Sequence, residues 1–260
     1  MTKDMDIATS TLFCLHKPFG EALTDIVRAG TECIELVDAG PHTLDRTRVE
    51  RLLELKSSYG LRYAIHAPFT DANLAADDPY IREFILRRLE TSIRWASALG
   101  AEAFVFHPGT YTPAERFSPG SAWRLNNESV RRLLLYAEEY NVKAFVENLP
   151  EPIPYILKSV DDFERFFDEI GVETMMTFDA AHANLRGETL EFIKRFGERM
   201  GHVHVSDNNG EADIHLRLGD GSIDWGETMS ALKGCSFDGW VTVESYDGIE
   251  ESLRLLRKLS

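Results

Sequence analysis

Short runs rich in β-branched and aromatic residues alternate with longer stretches of helical period along this chain. The short runs read as strands over 7–10, 33–37, 62–66, 104–107, 144–147, 175–179, 202–205 and 241–244. Helical patterns lie between them over 48–59, 80–99, 128–140, 160–170 and 190–199. In the second of these, Ile81, Phe84, Ile85, Leu89 and Ile93 fall at helical spacing, which predicts one buried face. Gly100 follows as a helix stop, and Gly30, Gly60 and Gly171 close three other helices the same way. Eight β–α units in 260 residues match the length of an eight-stranded α/β barrel, typically about 250 residues. The expectation is a single (β/α)8 TIM barrel occupying 1–260 as one domain. An open doubly wound sheet would carry a Gly-rich phosphate turn, and the chain has none.

Charge narrows the partners. The formal net charge is -15, and nucleic-acid affinity comes mainly from Lys and Arg on phosphates, so a DNA partner is not expected. No apolar run approaches the roughly 20 residues that span a bilayer, which predicts no membrane partner. The opening MTKDMDIATS carries acids where a secretory signal needs a basic and then an apolar stretch. Cys14, Cys33 and Cys235 are widely spaced and odd in number, and read as reduced thiols. Together these point to a cytoplasmic protein.

Barrel enzymes build their sites at the carboxyl ends of the strands. Six consecutive strand ends here carry His66, His107, Glu147, Asp179, His204 and Glu244, with His182 just beyond Asp179 and with Asp213 and His215 in the loop after strand seven. A lone histidine at a strand end is more often a hydrogen-bonded core residue than a ligand. A lone buried carboxylate is costly without a partner. Six in succession instead predict a metal site, with oxygen and imidazole donors suited to Zn, Mn, Fe or Co. His16 and His42 are weaker candidates for substrate contacts, and His202 is expected one layer deeper than His204.

At these motifs the chain resembles the superfamily joining endonuclease IV (AP endonuclease family 2) to the xylose isomerase-like sugar isomerases and epimerases. The shared elements are HAPF–x3–NLA, FHPG, the Glu of ENLP, D–x2–H, the His of HVS, D–x–H–x3–G–x–G and the terminal Glu, between about 62 and 246. HAPFTDANLA, ENLP and DAAHAN are most similar to archaeal-type sequences labelled sugar-phosphate isomerases. The endonuclease IV resemblance implies up to three zinc ions. His66 and His107 would hold the first, with Glu147 bridging to the second; Asp179, His204 and Glu244 would complete the second; His182, Asp213 and His215 would hold the third. The epimerase resemblance implies one ion on Glu147, Asp179, His204 and Glu244. The sequence departs from the DNA enzymes after strand two, where AGPHTLDRTRVER has no aromatic wedge, and at Phe69, where a Tyr is common.

The two resemblances imply two chemistries. Three divalent ions would overcompensate the four acids, suiting a phosphoester and an activated water. One ion would leave the site negative, suiting a neutral sugar whose protons are exchanged by Glu147 and Glu244 acting as an acid–base pair. The count of candidate ligands favours hydrolysis of a small phosphoester. The alternative is a sugar or sugar-phosphate isomerase or epimerase, and an AP endonuclease ranks third. In the first two cases the expected partner is a small molecule, a phosphoester, sugar or sugar phosphate.

Overall fold

A computed structural model describes residues 5–260; the opening MTKD lies outside them. Eight parallel strands close on themselves in chain order: β1 (Asp6–Ser10), β2 (Cys33–Val37), β3 (Arg62–His66), β4 (Phe104–Phe106), β5 (Ala144–Glu147), β6 (Met176–Asp179), β7 (Met200–Val205) and β8 (Trp240–Val243). The circle closes where β1 pairs with β8, with Ile7 opposite Val241 and Thr9 opposite Val243. This is the TIM barrel expected from the alternating pattern. No helix is long and apolar enough to cross a membrane among the described residues.

Helices wrap the outside, and their ends follow from local chemistry. Asp45 caps Arg46–Tyr59 by accepting from Arg48 N at 2.8 Å. Ser159 and Asp162 form a reciprocal capping box on Val160–Glu169. Gly60 and Gly100 end their helices in the left-handed region, at φ 69° and 59°, where a Cβ would be strained. Two features differ from the sequence expectation. Ile85, Leu89 and Ile93 are buried, but Ile81 and Phe84 are 55% and 74% exposed. The helix expected over 128–140 begins earlier, spanning Ser121–Glu139. Asn126 and Asn127, poor helix formers, are buried there, and Asn126 Oδ1 accepts from Gly109 N at 2.8 Å, a tertiary partner that overrides local propensity.

The lumen is built in storeys. At its floor Ala8, Cys33, Ala64, Ala103, Phe145 and Trp240 pack into an apolar layer separate from the main core. Gly201 lies directly against the Phe145 ring, where any Cβ would collide with it. Above this floor the inward positions turn polar, and the strand ends carry nearly all the candidate ligands.

Candidate metal centre

Each functional side chain reaches the mouth for a local reason. Glu147 and Asp179 are the last residues of β5 and β6, and His66 ends β3. His107 and Glu244 fall one residue past β4 and β8, where the strand pairing has stopped. Asp179 also caps the short helix Ala180–Asn184, its Oδ1 accepting from His182 N at 2.7 Å. The cap swings His182 toward the lumen and leaves Asp179 Oδ2 without a partner. Asp213 and His215 come from farther away, on the loop after β7. That loop is folded back by buried Asp207, whose carboxylate accepts from Gly219 N, Trp225 Nε1 and Ile223 N at 2.8, 2.8 and 3.3 Å. His215 adopts φ 45°, a costly conformation for a residue with a Cβ. A hydrogen bond from its Nδ1 to Glu244 O at 2.8 Å and packing against the Tyr246 ring, 4.8 Å away, hold it there.

All nine sequence candidates meet. Ligand atoms of Glu147, Asp179, His204 and Glu244 lie within 4.8 Å of one another, as do those of His66, His107 and Glu147, and those of His182, Asp213 and His215. Glu147 is the hub. Its Oε1 lies 2.9 Å from His204 Nδ1, and its Oε2 lies 3.2 and 3.5 Å from the Nε2 atoms of His107 and His66. Those two Oε2 contacts are close but too poorly aligned for hydrogen bonds, so Oε2 joins Asp179 Oδ2 and Asp213 Oδ1 as buried carboxylate oxygens without a hydrogen-bond partner. Unpartnered oxygens at this depth are expensive unless something cationic meets them. The donor set therefore fits a divalent ion, and Glu147, Asp179, His204 and Glu244 form the four-residue group that could hold it.

The histidines are oriented as ligands would be. His66, His182 and His215 each direct Nδ1 at a backbone carbonyl, of Ala67, Asn148 and Glu244, at 2.8–2.9 Å. A carbonyl can only accept, so each Nδ1 carries a proton and each Nε2 faces the mouth. His42, the weaker candidate, is buried and its Nε2 lies 3.0 Å from Lys17 O. His202 lies below His204, as expected. Sequence reading missed Glu35, fully buried on β2 with Oε2 at 2.7 Å from His202 Nε2 and 3.1 Å from His204 Nε2. An acid in the middle of the apolar run CIELV was its one signal. It also missed the aromatic rim, where Phe69 and Tyr155 pack on His107 at ring distances of 5.6 and 6.3 Å.

Protonation follows from these contacts. Burial opposes ionisation of Glu147, but the His204 charge and hydrogen bond, together with the His107 and His66 imidazoles close to its Oε2, hold it well below the carboxylate range. Burial pushes Glu244 up to about 7, with His204 opposing and Glu35 and Glu147 adding to the rise. Burial likewise raises Asp179. His182 resists burial and rises to about 10 through Asp179 and Asp213, whereas burial depresses His107 to about 4 despite Glu147. Burial also pushes the Cys14 and Cys33 thiols up to about 12 and about 11, as expected for inert thiols.

A family model described as xylose isomerase-like TIM barrel matches residues 23–259. The chain belongs to that family. Within the xylose isomerase-like family, an uncharacterised Methanocaldococcus jannaschii protein is 30% identical over 93% of this chain and 84% of its own length, in keeping with the archaeal resemblance. A D-psicose 3-epimerase of Enterocloster bolteae is 26% identical over 94% of this chain and 76% of its own. The crystal structure of a D-tagatose 3-epimerase-like protein superposes with TM-score 0.92 and 25% identity, covering 98% of this chain and 97% of that one. With these relatives and its cluster of convergent acids and imidazoles, the protein is an enzyme. The relatives favour the epimerase alternative over phosphoester hydrolysis.

Proposed function

We propose that the protein is a metal-dependent sugar epimerase acting on a neutral ketose, with Glu147 and Glu244 as its acid–base pair. One observation carries the reading. The two carboxylates converge on one imidazole, 2.9 and 3.3 Å from His204 Nδ1, yet one is held ionised while burial raises the other to about 7. In the ion-free site such a pair shares one proton, and two carboxylates meeting at one small volume supply the two groups that inversion at carbon requires.

A divalent ion on Glu147, Asp179, His204 and Glu244 would polarise a sugar carbonyl and acidify the neighbouring C–H. Glu147 takes the proton from the carbon beside that carbonyl, and Glu244 returns one to the opposite face. Phe69, Tyr155 and Tyr246 line the rim, where their rings exclude water and lie against sugar C–H surfaces. No Lys or Arg pairs with Glu147, Asp179, Asp213 or Glu244 among the described residues. A sugar phosphate would therefore meet a cluster of acids that no Lys or Arg neutralises, which favours the neutral sugar.

The test is incubation of the Mn2+-loaded protein with a panel of free ketoses in D2O. Inversion at the carbon next to the carbonyl, with deuterium incorporated there, is expected. Turnover of p-nitrophenyl phosphate with no ketose inverted would sink the reading and restore the hydrolase.

A further inference from the structure

His66, His182 and His215 are oriented by backbone carbonyls, whereas His204 is oriented by a side chain. Its Nδ1 faces Glu147 and Glu244 at the mouth, while its Nε2 points down the lumen to Glu35 Oε2 at 3.1 Å. Glu35 is fully buried, as are its other neighbours. The same Oε2 lies 2.7 Å from His202 Nε2, which in turn lies 2.9 Å from Thr242 Oγ1. A polar chain thus runs from Thr242 through His202 and Glu35 to His204 and ends at the two acids of the mouth.

We propose that Glu35 is a positioning residue that keeps the Nε2 proton on His204, so that Nδ1 offers its lone pair to the divalent ion. The inference rests on the ion-binding part of the reading above. An ionised carboxylate can only accept, so the imidazole nitrogen beside it must donate. Such a partner fixes the tautomer and the ring plane, and makes the opposite nitrogen a stronger ligand. Among the four candidate-ligand histidines with an identified orienting group, His66, His182, His204 and His215, His204 is the one held by a carboxylate and the one belonging to the four-residue Glu147–Asp179–His204–Glu244 set. His202 shares the carboxylate and stops it rotating away. Glu35 Oε1 has no partner of its own, so all of its hydrogen bonding is committed to the Oε2 side.

The experiment titrates Zn2+ into the metal-free wild type, Glu35→Gln and Glu35→Asp by calorimetry, with circular dichroism to verify the fold. Long-range 15N–1H spectra of the histidines are recorded on the Zn2+-loaded proteins. Glu35→Gln is expected to weaken Zn2+ binding by about 10- to 100-fold, the usual effect of losing a ligand's hydrogen-bond partner, and Glu35→Asp by less. The His204 Nε2–H resonance should move in Glu35→Gln while those of His66, His182 and His215 stay in place. Zn2+ affinity within twofold of wild type, or an unmoved His204 resonance, overturns the proposal. If neither variant folds, the wild type decides alone, since a Zn2+-loaded His204 protonated on Nδ1 overturns it. Zn2+ affinity that depends on Glu35 in a protein inverting no ketose sinks the epimerase reading and leaves this inference standing. Normal ketose inversion with Zn2+ binding indifferent to Glu35→Gln does the reverse.

Discussion

The ends of β5 and β8 carry the same residue type at nearly the same burial, Glu147 at 1% and Glu244 at 5% exposure, yet their protons behave differently. Glu147 is approached by His66, His107, His182 and His204, at 2.9 to 3.7 Å. Glu244 is approached by His204 alone, at 3.3 Å. Burial disfavours charge on both, and only at β5 do enough imidazoles gather to overcome it. What separates the proposed base from the proposed acid is thus the number of imidazoles within reach.

The largest expected effect breaks the β5 side. Glu147→Gln removes the charge on which the histidines converge, and deuterium uptake from D2O into a ketose should fall by about 1000-fold, within the usual range for a lost general base. A rate within tenfold of wild type would dissolve the distinction. Breaking the β8 side should look different. In Glu244→Gln, epimerisation should drop by about 100-fold or more, while one of the two epimers, the one whose C–H faces Glu147, still exchanges its proton without inverting. Loss of exchange from both epimers together would place the two acids in a single role.

Asp213→Ala tests whether the neighbouring His182–Asp213–His215 group serves the same chemistry. For an epimerase, KM should rise several-fold with kcat nearly unchanged, as when binding alone is lost. A drop of about 100-fold in phosphoester turnover would instead mark an electrostatic stabiliser. Ion content by mass spectrometry beside the kinetics distinguishes one resident ion from three.

The smallest effect is on stability against pH in the ion-free protein. Glu244 is raised above its ordinary 4.5 to about 7, so between those values the folded state binds more protons than the unfolded one, and stability falls as pH rises. His66 and His182, raised from 6.5 to about 9 and about 10, contribute stability that is complete below 6.5 and is lost as pH climbs through those values. Between pH 4.5 and 6.5 the depressed His107 opposes Glu244, so thermal midpoints in chelator should decline mainly from pH 6.5 toward 10, and Glu244→Gln should let the curve rise with pH below 6.5 while leaving the limb above 7 unchanged. A variant that flattens the limb above 7 instead would assign the proton to the wrong strand.

The barrel and its mouth were readable because strand ends are marked by an abrupt change of chemistry. In FVFHPG, AFVENLP and TFDAAH an apolar run meets one polar residue and then a turn, so position and role are announced together. Glu35 lacks that signature: it sits mid-strand between Ile34 and Leu36, and only closure of the sheet brings β2 to face β7. Ile81 and Phe84 keep the helical spacing of Ile85 and Leu89 without their burial, because spacing reports which residues share a face and not which of them a neighbour covers. The start of Ser121–Glu139 was hidden because Asn126 is satisfied by Gly109, a partner 17 residues away in sequence.

The apolar floor beneath Glu35, with the Phe145 ring seated over Gly201, makes the barrel a blind well rather than a tube. Solvent hydrogen reaching Glu35, His202 or Thr242 has to come down through the mouth, past the very groups that handle the substrate. A sugar resting on that mouth would act as a stopper and isolate the layer below from bulk water. Isotope exchange at the His202 ring nitrogen then becomes a clock for occupancy: it runs while the well is open and stalls while it is corked.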